Sequence, residues 1–187
     1  RSDSGGQALS MIFRECILKG AFVIAPERST DDRGYFARTW CRREFGEMGL
    51  DTNLVQCGIS YNKAAGTLRG MHYQEDPYAE TKLIRCTRGS VFDVIIDLRR
   101  TSATYMQHAA VRLSATEGNM LYVPGGFAHG FQTLEDDSEL FYQISEYYHP
   151  EAARGIRWDD PAFGIEWPVV ESRVISRRDR DWPNYMS

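Results

Sequence analysis

The sequence predicts an all-β jelly roll with short accessory helices, and three observations carry that expectation. Short apolar runs recur at near-regular spacing, turn residues separate them, and few windows show the i, i+3, i+4, i+7 stripe of an amphipathic helix. The clearest run is Val91-Phe92-Asp93-Val94-Ile95-Ile96-Asp97-Leu98, preceded by Gly89-Ser90 and followed by Arg99-Arg100. Lys82–Thr87, His108–Leu113, Met120–Val123 and Glu139–Glu146 read the same way, with turns at Glu117-Gly118-Asn119, Pro124-Gly125-Gly126 and Glu135-Asp136-Asp137. Two segments look helical: Cys41 to Met48, stopped by Gly49, and a turn that opens at Pro150-Glu151-Ala152-Ala153.

At 187 residues the chain has the length of one domain, and no repeat, low-complexity tract or linker divides it. Arg1 to Ser10 is small and polar and precedes Met11, so residues 1–10 are expected to be vector-derived and 11–187 to form a single domain. The balance of 22 Lys+Arg against 26 Asp+Glu gives a net charge of −4. It lacks the basic excess of a phosphate-backbone binder, so nucleic acid is not an expected partner. The longest apolar runs, such as Ala21-Phe22-Val23-Ile24-Ala25, fall far short of the roughly 20 residues of a membrane helix, and no membrane span is expected. Cys16, Cys41, Cys57 and Cys86 form no C-x-x-C pair and read as reduced thiols of a cytoplasmic protein.

Two stretches follow the spacing of the cupin superfamily. Its first motif is Gly, five residues, His-x-His, a later Glu, six residues and Gly; its second is Gly, five residues, Pro-x-Gly, two residues and His. The second is intact here as Gly118, Pro124, Gly126 and His129, and the first begins with Gly66 and His72 and ends with Gly89. The chain thus resembles a cupin, a double-stranded β-helix jelly roll. Where a metal-binding cupin carries its second His and its Glu, this chain has Gln74 and Lys82. An ammonium cannot ligate a cation and repels one, so no metal is expected. The same fixed positive charge can stabilise a developing anion.

A longer resemblance is more specific. Gly66-Thr67-Leu68-Arg69-Gly70-Met71-His72-Tyr73-Gln74, Lys82-Leu83-Ile84-Arg85-Cys86-Thr87-Arg88-Gly89, Pro124-Gly125-Gly126-Phe127-Ala128-His129-Gly130-Phe131 and Arg154-Gly155-Ile156-Arg157-Trp158-Asp159-Asp160-Pro161 resemble the dTDP-4-dehydrorhamnose 3,5-epimerase family, from about Ile17 to Trp182. The resemblance implies a cofactor-free homodimer that inverts C3, C5 or both in a nucleoside-diphospho-4-keto-6-deoxy-hexose for deoxysugar biosynthesis. It makes His72 the base, Asp179 of Ser176-Arg177-Arg178-Asp179 its hydrogen-bond partner, Tyr142 the acid and Lys82 the cation near the ketone. It places Gln56, Arg69, His129, Tyr148 and Arg177 on the substrate, together with Arg33 reaching in from the other subunit. Tyr148 has two readings, against the nucleotide base or in the core.

These residue types suit the reaction. A C–H beside a ketone is acidic because its carbanion is an enolate, so the site must take a proton and stabilise charge on the C4 oxygen. Inversion then needs a second donor on the opposite face of the ring. Without the motifs, His72 and Tyr142 would read as core residues and the charged run around Asp179 as a solvated face. Three rivals stand beside the main reading: epimerisation at one carbon, 3,4-ketoisomerisation, and non-catalytic binding of a sugar nucleotide. Ser29, Arg38 and Gly58 depart from the family pattern at nucleotide-side positions, which predicts a weaker preference for thymidine.

Overall fold

The structure is a computed structural model that describes residues 9–185. Residues 1–8 of the expected leader lie outside the described residues. Leu9 and Ser10, by contrast, engage the fold: the Ser10 hydroxyl donates to Glu27 at 2.7 Å, and the Leu9 carbonyl accepts from Arg38 at 3.0 Å.

In chain order the elements are β1 (Met11–Glu15), β2 (Phe22–Pro26), β3 (Arg28–Asp31), β4 (Gly34–Ala37), α1 (Arg42–Glu47), β5 (Gln56–Asn62), β6 (Thr67–Gln74), β7 (Lys82–Arg88), β8 (Ser90–Asp97), β9 (His108–Ser114), β10 (Met120–Val123), β11 (Phe127–Thr133), β12 (Ser138–Ile144), β13 (Ala153–Gly155), β14 (Val174–Ile175) and α2 (Arg177–Arg180). One sheet has the order β1-β2-β10-β7-β12-β5 and the other β13-β6-β11-β8-β9, with β14 added beside β6 and β3-β4 forming a separate hairpin. Sequence neighbours such as β6 and β7 fall in different sheets, which is the crossing pattern of a jelly roll. The fold class expected from the sequence is the one observed.

Each strand expected from its run is present, with ends shifted by two residues at most. Three strands escape the alternation rule for identifiable reasons. Every residue of β11 is buried, so no polar face marks it. β6 carries Gly70 and a register shift against β11 that breaks its period. β5 is an edge strand with a largely exposed face. Of the two expected helices, α1 forms and the one at Pro150 does not. There the amides of Ala152 and Ala153 both donate to the His149 carbonyl in a single turn, and the chain then extends to pair β13 with β6.

The inner faces of the two sheets fill one end of the sandwich with apolar side chains, among them Ile84, Val91, Ile95, Leu113, Leu121, Phe131 and Leu140. Outside the first sheet, Phe45 of α1 packs on Ile24, Leu83 and Met120. Burying a side chain of this size contributes on the order of 2–3 kcal/mol. Outside the second sheet, Ile156 and Phe163 cover Met71, Val94 and Ile96. Covered on both outer faces and plugged at one end, the sandwich leaves its polar inward residues at the other end.

Candidate active site

That other end holds a cavity of about 370 Å³ between the sheets, lined by Arg69, His72, Gln74 and His129 from one sheet and by Gln56, Ser60, Lys82 and Tyr142 from the other, with Tyr148, Glu80, Arg154 and Arg178 at loops and edges. Arg69 and His72 are three apart, which in a regular strand would send them to opposite faces. The register shift between His129↔His72 and Phe131↔Arg69 absorbs the extra residue and turns both inward. A glycine is required there: a Cβ on Gly70 would lie 2.5 Å from the Gly130 Cα, and φ of Gly70 is +129°.

His72 Nε2 lies 2.6 Å from Asp179 Oδ1, with His72 43% exposed and Asp179 8%. The charged run containing Asp179 folds as the single turn α2. The Ser176 hydroxyl caps that turn by accepting from the Asp179 N–H at 3.0 Å, which aims the carboxylate inward. Burial pushes the Asp179 carboxyl up. The hydrogen bond and charge of His72 and the Gly70 N–H outweigh this and hold it below the ordinary carboxylate value. Trp182 follows at once, its ring edge-on to His72 at 6.5 Å. A Cβ on Gly155, the partner of His72 in β13, would lie 2.1 Å from that ring.

A second pair lies deeper. His129 Nε2 is 2.9 Å from Asp93, and both are buried. Burial pushes the Asp93 carboxyl above its ordinary value, against the opposing pull of His129 and Lys82. Tyr142 stands edge-on to His129 at 5.9 Å. Burial, with Asp93 adding to it, drives its phenol well above the ordinary range, so it is a protonated donor at neutral pH. Lys82 is nearly buried and pairs with Glu80 at 2.7 Å.

Most residues expected at the site are brought together: His72, Asp179, Tyr142, Lys82, Gln56, Arg69, His129 and Tyr148 converge on or directly behind the cavity wall. Tyr148 is exposed at the mouth, not in the core. One expectation needs correction. Arg177 points to solvent, 94% exposed and paired with Asp181 four residues on, whereas Arg178 lines the cavity. Arg33, expected to reach the other subunit's cavity, is 90% exposed on the β3-β4 hairpin and pairs with Asp31. Arg38 Nη1 donates to Glu44 at 2.9 Å and to the Leu9 carbonyl at 3.0 Å. Sequence reasoning missed Glu80 and Arg154. Glu80 had a signal, since period-two alternation places it on the same side as Lys82.

Comparison with known proteins decides the family. The sequence profile described as dTDP-4-dehydrorhamnose 3,5-epimerase matches residues 15–187. The chain belongs to the dTDP-4-dehydrorhamnose 3,5-epimerase family. A member from Sinorhizobium fredii is 41% identical over 181 residues, covering 96% of this chain and 93% of its own. The solved structure of the dTDP-4-dehydrorhamnose 3,5-epimerase of Bacillus anthracis, with TDP and pyrophosphate bound, superposes with a TM-score of 0.90 at 38% identity and covers 94% of this chain and all of its own. A 3′-monoepimerase from Streptomyces bikiniensis, solved with dTDP-quinovose, superposes at 0.84 with 30% identity, covering 90% and 85% of the two chains. The enzyme class expected from the sequence, a carbohydrate epimerase, is that of the family.

Proposed function

We propose that the chain epimerises a nucleoside-diphospho-4-keto-6-deoxy-hexose, with His72 as base, Tyr142 as acid and Lys82 beside the C4 oxygen. The observation that carries this reading is the placement of His72 and Tyr142 on facing sheets of one cavity, β6 and β12. A sugar ring between them meets a proton acceptor on one side and a donor on the other. With Nε2 held by Asp179, Nδ1 of His72 is the ring nitrogen left to accept the C–H proton. The electron pair released moves onto the C4 oxygen, where the Lys82 ammonium and the Arg69 guanidinium stabilise the enolate. Tyr142 then protonates the carbon from the far face, and the product differs from the substrate only at that centre. C3 and C5 flank the same carbonyl, so the same groups serve either carbon.

The bound groups of the relatives support thymidine diphosphate at the nucleotide end, against the weaker thymidine preference expected from Ser29, Arg38 and Gly58, with Tyr148, Arg154 and Arg178 at the mouth to receive it. The partner in this proposal is that small molecule and not nucleic acid. A homodimer in the cytoplasm completes the proposal. Phe141 and Ile59 are cross-strand partners on the outer face of β12 and β5, and Ile59, Tyr61, Tyr35 and Phe36 are exposed. A second copy covers this apolar face, and the Arg33 hairpin then reaches the neighbouring cavity. Among the described residues no helix is long and apolar enough to cross a membrane.

Incubation with dTDP-linked 4-keto-6-deoxyhexoses in deuterium oxide tests the proposal. Label and inversion at both C3 and C5 support the full reaction, and label at C3 alone marks a monoepimerase. Unlabelled substrate with tight nucleotide binding leaves a binding protein.

A further inference from the structure

Gln74 occupies the position at which a metal-binding cupin carries an imidazole ligand, and its side chain is spent otherwise. It is buried, and its amide makes three hydrogen bonds, all to backbone. Nε2 donates to the Tyr78 carbonyl at 3.0 Å and to the Tyr147 carbonyl at 3.1 Å, while Oε1 accepts from the His149 N–H at 2.7 Å. Tyr78 belongs to the segment that leads to Glu80 and Lys82. Tyr147 and His149 are the two neighbours of Tyr148.

The same two segments meet twice more. The rings of Tyr78 and His149 stack at 3.7 Å and 16°. Thr81 and Ser145 exchange bonds, with the Thr81 N–H donating to the Ser145 hydroxyl at 2.8 Å and the Ser145 N–H to the Thr81 carbonyl at 3.0 Å. The Tyr148 ring itself is exposed at the cavity mouth, so its backbone sets where it stands. Only a neutral amide offers two N–H donors and an acceptor on one short stem. A carboxylate in its place would turn lone pairs toward two carbonyls, and an imidazole has one donor too few.

We infer that Gln74 is a positioning residue for substrate binding: it clamps the peptide groups on both sides of Tyr148 to the Tyr78 segment and so fixes the nucleotide-side rim of the cavity. This rests on the sugar-nucleotide reading of the site. Gln74 shares β6 with His72, but its three hydrogen bonds run to the Tyr78 and Tyr147–His149 segments and none to His72, Asp179 or Tyr142, so the clamp governs how tightly substrate is held and leaves the proton-transfer step alone.

Gln74→Ala and Gln74→Glu are to be compared with Tyr148→Ala and with the double variant Gln74→Ala/Tyr148→Ala. Two readouts are used: turnover of a dTDP-linked 4-keto-6-deoxyhexose, and calorimetric binding of dTDP alone. Each Gln74 variant should raise KM and the dTDP Kd about tenfold and keep kcat within about twofold. The double variant should bind no more than about twofold weaker than Tyr148→Ala, because both changes remove one function. If Gln74→Ala fails to fold, Gln74→Glu carries the test, since it keeps the side-chain volume and the bond from His149. Fully additive losses in binding, a fall in kcat at constant KM, or an unchanged dTDP Kd overturns the inference. Absence of turnover by the unaltered protein overturns the epimerase reading instead, and the dTDP Kd still decides the clamp.

Discussion

His72 and His129 sit directly opposite each other in the β6-β11 register, and each is backed by its own carboxylate, Asp179 for the first and Asp93 for the second. The pairs differ in what surrounds them. His72 opens on the cavity, where it can meet a C–H, whereas His129 lines the cavity from deeper in the wall, 6% exposed and edge-on to Tyr142.

From this difference, His72→Ala should abolish both deuterium exchange and inversion. Asp179→Asn should slow turnover by about 10²-fold, because the imidazolium formed on proton abstraction loses its counter-charge. The double variant should be no slower than His72→Ala. Multiplicative losses in kcat would dissolve the pair as a unit.

Tyr142→Phe removes the far-face donor and leaves the base, the Lys82 cation and nearly all of the cavity shape. Label from deuterium oxide should still enter at the first attacked carbon, while net inversion falls roughly 10²–10⁴-fold. Simultaneous loss of exchange and inversion would mean that Tyr142 takes part in forming the enolate.

Chelation should leave the rate unchanged. Gln74 has its amide committed to backbone, and Lys82 brings positive charge where a ligand carboxylate would stand. Loss of turnover on dialysis against a chelator, restored by Fe, Zn or Mn, would contradict this.

Acid stability should hinge on Asp97. Its carboxylate is buried, which pushes it up, but hydrogen bonds from Arg99, Ser102 and Thr104 win and lower it from 3.8 to about 2. A depressed folded-state value means that the stabilisation is complete above the unfolded value and drains away as pH falls through the folded one. The melting temperature should therefore decline between about pH 4 and pH 2, and Asp97→Asn should lower Tm at pH 7 and flatten that decline. An identical acid limb in the variant would assign the decline to other carboxylates.

Gly155→Ala should displace Trp182, because the added carbon would overlap its ring. That ring packs on His72 and lies under the Arg178 guanidinium at 5.3 Å. We expect kcat to fall at least tenfold and tryptophan emission to shift, with β-sheet circular dichroism retained. Full activity would show that His72 does not depend on the C-terminal segment.

The candidate site was legible where motifs mark it: His72, Lys82 and His129 occupy cupin positions, and Asp179 was found only through the family's Ser-x-Lys/Arg-Asp segment, whose Ser proves to cap its turn. The rim was not legible in the same way. Choosing Arg178 over Arg177 needs the phase of a one-turn helix, which only the packing of Asp179 against His72 settles. The negative reading of Gln74, as a poor metal ligand, held no hint of its bonds to loops 73 and 75 residues away. The family pattern marked Arg38 as a nucleotide-side departure, and its ion pair with Glu44 was not legible because sequence alone does not dock the short helix α1. The Pro150 segment has helix-starting residues, but pairing with β6 decides its backbone.

The two glycines that let β6 and β11 approach, Gly70 and Gly130, leave no room for even a methyl group between those strands. The wall that carries His72 is therefore fixed at those two positions. Whatever diversity of sugars such an enzyme accepts must be written on the opposite wall and the rim, at Gln56, Ser60, Ile144, Tyr148 and Arg154. An engineer who wants a roomier pocket or a different regiochemistry should randomise those positions and hold the β6-β11 seam constant.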